Sequence, residues 1–269
     1  MGKVSSKEAI SGLVRAAVSA FAEGFKARHE GEVENPEGTI NLKIHNVFIA
    51  ELGPEVQYYS SMVRSLDSSL GNMLEGLAIN IAQLFYDVKK NVEGPLYARQ
   101  TQVIAELLES YKRRSKKPGI VDYLPLRRVV KEEAKTKRHD SDYYLIDKSN
   151  GHHYLIELKI GGDLDNKKAR SEKEAILEQY AILSNTLPGD ANLRIYFATA
   201  YNRYGEGKPW KQERVRQFFA DEELLVGKSF WDLICKSDDG HDTVLKAYRE
   251  SAPLIKNALD SIKRTYLGD

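Results

Sequence analysis

The sequence holds a single cysteine, Cys235. It can close no internal disulfide and build no multi-cysteine zinc site, so a reducing cytoplasm is the expected setting. No apolar run approaches the ~18 residues that a membrane span needs. No signal-peptide pattern opens the chain, whose first 28 residues carry charges throughout. A charge excess is missing too: 40 Lys and Arg stand against 39 Asp and Glu, for a formal net charge of +1. The chain as a whole is therefore not a basic nucleic-acid binder, but a basic cleft offset by acidic residues elsewhere is compatible with that total. There is no internal repeat and no low-complexity tract. The run Gly205-Glu206-Gly207-Lys208-Pro209 lacks the P-loop pattern, so no nucleotide cofactor is expected. Asp163 and Asp165 belong to no full calcium loop, and His152 and His153 lack a third ligand at metal spacing.

What is present is a globular composition, 42% hydrophobic and 29% charged. Residues 5–28 place Ile10, Leu13, Val14, Ala17, Val18 and Phe21 at helical spacing. Asn35-Pro36-Glu37-Gly38 signals a turn, and a short strand is expected at 41–50. A second helical stripe covers 65–92 and is stopped by Gly94-Pro95; a third helix covers 98–114. Residues 111–140 are rich in Lys and Arg, among them Lys116, Lys117, Arg128, Lys131, Lys135 and Lys137. Two β-type runs follow at 143–146 and 152–159, joined through Asn150-Gly151, a strong hairpin signal. After Gly161-Gly162 comes a helix at 169–185, then an apolar strand at 193–200, then a largely helical tail from 212 to 267. This order predicts an α/β fold with a central mixed sheet flanked by helices and a helical N-terminal part. One domain is expected: a helical, dimerising part at 1–60, a core at 65–235 and C-terminal helices at 236–269.

The chemistry concentrates at the second β-run, Tyr154-Leu155-Ile156-Glu157-Leu158-Lys159. Side chains alternate along a strand, so Glu157 and Lys159 share a face while Ile156 and Leu158 point the other way. A tight hairpin brings Asp140-Ser141-Asp142 beside the end of this strand, and a carboxylate near 142 then approaches Glu157. Two carboxylates and one ammonium at a sheet edge suit phosphodiester hydrolysis. The carboxylates hold Mg²⁺, and the lysine orients a water or stabilises charge at phosphorus.

This Asp…Glu-x-Lys pattern resembles the PD-(D/E)XK nuclease superfamily. The wider text "LIELKIGGDLDNKKARSEKEAILEQYAIL", "FATAYNRYGEGKPWKQERVRQFF" and "LLVGKSFWDLI" is similar to the TdeIII family of type II restriction endonucleases, over residues 60–235. The resemblance implies a restriction-endonuclease-like core in which Asp142, Glu157 and Lys159 are catalytic and Asp142 and Glu157 bind Mg²⁺. Ser141 stands where the pattern has proline, so Asp140 and Asp147 stay open as alternatives to Asp142. The resemblance also gives a helical carboxylate, Glu75, a place near the metal. At 100° per residue Glu75 shares a side with Gly71, Ala78 and Ala82, close to the buried stripe. A GGNCC-like target is a further implication.

Asn166 and Arg170, just past the glycines, are candidates for reading base edges, and Lys167, Lys168 and Lys173 for phosphate. Asn202, Arg203, Lys208 and Lys211, on a loop after the third strand, form a second DNA-binding group. Double-stranded DNA and a second copy of the chain are the expected partners, because a two-fold site is most simply read by a homodimer. The alternatives are a repair or recombination nuclease of the same fold, which cuts without discrete sites, and a DNA-binding protein that does not cut at all.

Overall fold

The computed structural model describes residues 5–127, 134–162 and 164–268; Arg128, Lys131, Asp163 and the side chain of Asp142 lie outside that description. In chain order the elements are α1 (Ser6–Gly31), α2 (Val47–Ala50), α3 (Pro54–Ala82), β1 (Tyr86–Tyr97), α4 (Ala98–Lys112), α5 (Leu124–Arg127), β2 (Ala134–Asp147), β3 (His153–Leu158), α6 (Asn166–Thr186), β4 (Leu193–Thr199), α7 (Glu213–Arg216), β5 (Leu224–Val226), α8 (Lys228–Cys235) and α9 (Gly240–Leu267). They form two compact units. One holds residues 1–80 and 242–269, the other residues 81–241.

The first unit is helical. Ser5 caps α1 through a reciprocal capping box with Glu8, and the buried row Ile10, Val14, Val18, Ala22, Phe25 has the spacing of one helix face. Phe25 packs with Ile40, Tyr58, Met62 and Ile262 in a small core. Residues 41–50 are not a strand but a 3-10 turn, Asn41–His45, followed by α2. Asn46 caps that short helix by accepting from the Ile49 N–H, and this local side-chain bond outweighs the β-branched content of the segment.

The second unit carries a mixed sheet, five-stranded among the described residues, in the order β1-β2-β3-β4-β5. The first three strands are antiparallel and β3, β4 and β5 are parallel. Leu155 of β3 and Ile195 and Phe197 of β4 pack in one cluster with Ile104 and Leu108 of α4 and Ile176, Leu177 and Tyr180 of α6. On the other face Tyr143 meets Phe230 of α8 edge-on, and the Tyr86 hydroxyl donates to the Leu233 carbonyl. The mixed sheet between helical layers is as expected; two of its strands are not.

The helix expected over 65–92 ends at Ala82, and Tyr86–Tyr97 is an edge strand. Leu84, Phe85 and Val88 happen to continue the helical spacing. A register shift between Lys89 and Asn91 breaks the two-residue alternation that would have marked a strand. Pro95 fits here because an edge strand need not donate every N–H. Gly94 fits because a Cβ there would lie 2.9 Å from Ile182 of α6. The tail is likewise interrupted by β5, whose three residues are too few to show a period.

Candidate active site

The hairpin decides which groups meet. Tyr143 pairs with Ile156 and Tyr144 with Leu155, so one further step of the same register sets position 142 opposite Glu157. In the parallel direction Glu157 pairs with Phe197. Glu157 thus stands on the α6-facing side of the sheet, one alternation beyond the fully buried Leu155, while Ile156 and Leu158 fill the other side.

Lys159 follows the last residue of β3 and is still tied to β4. Its N–H donates to the Ala198 carbonyl at 3.0 Å, and its own carbonyl accepts from Gly162 at 3.0 Å. Gly162 has φ of +64°, and a Cβ there would lie 2.5 Å from Thr199 and 3.0 Å from Trp210. Only glycine lets the chain turn this tightly against the end of β4. The turn fixes the backbone from which the lysine projects.

The Lys159 ammonium donates a short hydrogen bond to Glu157 Oε1 and lies 3.4 Å from Glu172 Oε1. Side-chain exposure is 12% at Glu157, 33% at Lys159 and 25% at Glu172. Two carboxylates therefore flank one ammonium in a recess that solvent reaches only partly. Glu172 was not among the sequence candidates. Its signal is the α6 stripe: it precedes buried Ile176 by four residues and Gln179 by seven, so a carboxylate stands on the packing side of that helix.

Asp147 sits at the opposite end of β2, five residues and about 17 Å from position 142 along the strand. It closes the hairpin, its N–H donating to the His152 carbonyl at 2.9 Å. Its carboxylate accepts from Lys236 at 2.6 Å and from Ser149. Burial opposes its ionisation, but those hydrogen bonds prevail and hold its pKa at about 2. This geometry makes Asp147 a turn residue. Asp140 is exposed and pairs with Asn91. Glu75 lies on α3 in the helical unit, and it is exposed rather than set among small buried residues. The helix turns it past the buried pair Leu77 and Ala78.

Asn166, Lys167 and Lys168 are exposed at the start of α6, where Asp165 caps the helix by accepting from the Lys168 N–H at 2.7 Å. Arg170 lies 3.7 Å from Glu109 of α4. Arg203, Lys208 and Lys211 are exposed on the loop beyond β4. Asn202 is buried there: its amide donates to the Lys208 carbonyl and its oxygen accepts from the Tyr204 N–H, so it shapes the loop from within.

Lys173 is a correction. It is fully buried, not a surface phosphate ligand. Its ammonium donates to both Glu223 oxygens at 2.8 Å and to the Tyr123 hydroxyl at 2.6 Å, and stands over the Tyr123 and Phe219 rings. Burial lowers its pKa while Glu223 opposes the shift. Lys173 precedes Leu177 and Tyr180 by four and seven residues, so the periodicity that found the α6 core also pointed to it. Trp210 packs on Phe197, and Trp231 donates to the Ala200 carbonyl at 2.8 Å, both as packing residues. His153 shares a hydrogen bond with the Tyr144 hydroxyl, as a strand residue does. Among the described residues no three His, Cys, Asp or Glu side chains gather as a metal cluster, and no helix is long and apolar enough to cross a membrane.

A family model described as the type II restriction endonuclease HinfI matches residues 7–252. This is a wider span than the 60–235 likened to TdeIII, and the matching family is HinfI. No curated protein and no solved structure matches the chain.

Proposed function

The chain belongs to the HinfI family of type II restriction endonucleases, and from that premise we propose that it hydrolyses double-stranded DNA at a short two-fold symmetric site, as a Mg²⁺-dependent homodimer, with Glu157 and Lys159 at the reacting phosphate. The observation that carries this reading is the ammonium of Lys159 held between Glu157 and Glu172 at the carboxyl end of β3. Family membership makes the protein a site-specific DNA-cleaving hydrolase. The cluster supports giving the chemistry to Glu157 and Lys159.

The donor set fits a hard divalent cation. It consists of carboxylate oxygens without sulfur or imidazole, and Glu157 is shielded enough that a cation bound there keeps its charge poorly screened. Glu157 would hold the metal, with Asp142, one register step across the hairpin, as the second carboxylate. When bound, the metal polarises the phosphoryl group and lowers the pKa of a water.

Lys159 supplies the remaining charge. Its ammonium, a compact donor on a flexible stem, orients the attacking water and stabilises negative charge at phosphorus as the new P–O bond forms and the sugar oxygen departs. Glu172 and Glu157 hold that ammonium in place. Asn166, Lys167, Lys168 and Arg170, at the start of α6, and Arg203, Lys208 and Lys211, on the β4 loop, are the proposed DNA contacts. The first group starts a helix capped by Asp165, and the loop of the second is shaped by Asn202.

The test is Lys159→Ala, digested against unmethylated plasmid with Mg²⁺. Loss of one positioned electrostatic group costs on the order of 10²–10³ in rate, with the circular dichroism spectrum and melting curve of the wild type retained. Wild-type cleavage by the purified variant would remove the mechanism. Discrete bands from the wild-type enzyme separate a site-specific cutter from a structure- or end-directed nuclease.

A further inference from the structure

The helical unit leaves one apolar face uncovered. Ile44 is 62% exposed, Val47 61%, Phe48 84% and Leu52 64%, all within the turn and short helix before α3. The face continues onto α3 through Val56, Tyr59 and Val63. These residues all fall within positions 44–63. They present on the order of 700 Å² of accessible surface, more than the largest patch of a typical monomer and close to the ~800 Å² that one partner contributes to a standard stable interface.

The pattern along α3 is specific. Val56, Tyr59 and Val63 are spaced three and four residues apart, the repeat of a seam made by packed helices, and Leu52 lies just before the helix begins. This seam is not the side that α3 uses within its own unit. Tyr58 and Met62 fill the small core with Phe25, Ile40 and Ile262, and Ser61 donates to the Thr39 carbonyl from the same inner side. At 100° per residue the two faces lie about 140° apart. The first half of α3 is thus apolar on nearly opposite sides, the pattern of a helix that is covered on both.

We propose that this outer face, α2 together with the first half of α3, seats the same face of a second copy of the chain. The inference rests on the homodimer reading above and adds where the two copies meet. A two-fold interface must be complementary to itself. The seven apolar side chains satisfy that requirement among themselves because they carry no charge; the exposed Glu51 and Glu55 lie in the same segment.

The test compares the full-length protein with Phe48→Glu/Val63→Glu by analytical ultracentrifugation at micromolar concentration. The wild type is expected to sediment as a dimer, and the variant as a monomer with an unchanged circular dichroism spectrum. Plasmid cleavage should shift from linear product to nicked circle. Phe48→Ser, at a side chain that touches little within its own chain, is the second variant, and should weaken dimerisation at least tenfold without altering the melting curve measured at low concentration. If both variants remain dimers of wild-type strength, this face is not the interface, although the homodimer reading stands. If the wild type is itself a monomer that cuts both strands, the homodimer reading falls and takes the inference with it.

Discussion

Replacing Lys173 with methionine tests whether α6 is anchored from inside. The ammonium places all its donors on Glu223 and Tyr123. Glu223 also accepts from the Tyr123 hydroxyl at 2.7 Å and from the Ala220 N–H at 2.7 Å. Methionine has nearly the volume of the lysine stem but no charge. It therefore leaves a carboxylate at 1% exposure with two neutral donors and no countercharge. Removing one partner of a buried pair costs about 3–5 kcal/mol, largely because the other charge is stranded. For a chain of this size that corresponds to a fall in Tm of roughly 10 °C. Lys173→Met/Glu223→Gln removes both charges and should recover most of the loss, so a double-mutant cycle isolates the pair. The assay is thermal and denaturant unfolding of all four proteins, alongside DNA binding over a range of salt. A phosphate ligand would behave differently: its loss leaves stability alone and lowers the slope of log K against log salt by about 1. That second pattern would refute the buried-anchor reasoning.

Asp147 and Gly162 supply two further expected outcomes. Asp147→Asn removes a carboxylate whose folded pKa of about 2 lies below the ordinary aspartate range. Its contribution, about 2 kcal/mol, is fully present above the unfolded value, so the variant should be less stable at neutral pH. The difference should shrink as pH falls from 4 through 2, while Mg²⁺-dependent cleavage persists. A pH-independent difference in unfolding free energy, or loss of cleavage in a folded variant, would contradict the assignment of Asp147 to the turn. Gly162→Ala must adopt φ of +64° with a methyl 2.5 Å from Thr199. The left-handed backbone costs about 1–2 kcal/mol and the overlap about 1–3 kcal/mol more. Differential scanning calorimetry should record a lower Tm, and an unchanged melt would show that the turn is looser than described.

The strands around the site were legible because their signals are local. Asn150-Gly151 announces a hairpin, and the alternation through Tyr154, Ile156 and Leu158 sets Glu157 and Lys159 on one face whatever lies around them. β1 was illegible for a matching reason. Its register shift near Lys90 spoils the two-residue period, while Leu84, Phe85 and Val88 extend a helical one, and pairing with β2 settles the conflict. No strand was expected in the basic stretch before 140. Part of it is the outer half of β2, where Lys137 and His139 meet Glu178 of α6.

Within the candidate site, the nearness of Glu157 and Lys159 was legible in the sequence, since two residues two apart in extended chain need only that local backbone to be neighbours. Glu172 and Lys173 were not. They are adjacent on one helix, yet one carboxylate reaches Lys159 and the neighbouring ammonium is sealed against Glu223, fifty residues away. Which of two adjacent charges faces the site and which the core depends on the rotation of α6 over the sheet. That rotation is set by the packing of Leu155, Ile195 and Phe197 against Ile176, Leu177 and Tyr180. Periodicity marks the apolar side of a helix, but only the partner surface decides where that side ends, and charge at the margin is placed by the tertiary fit.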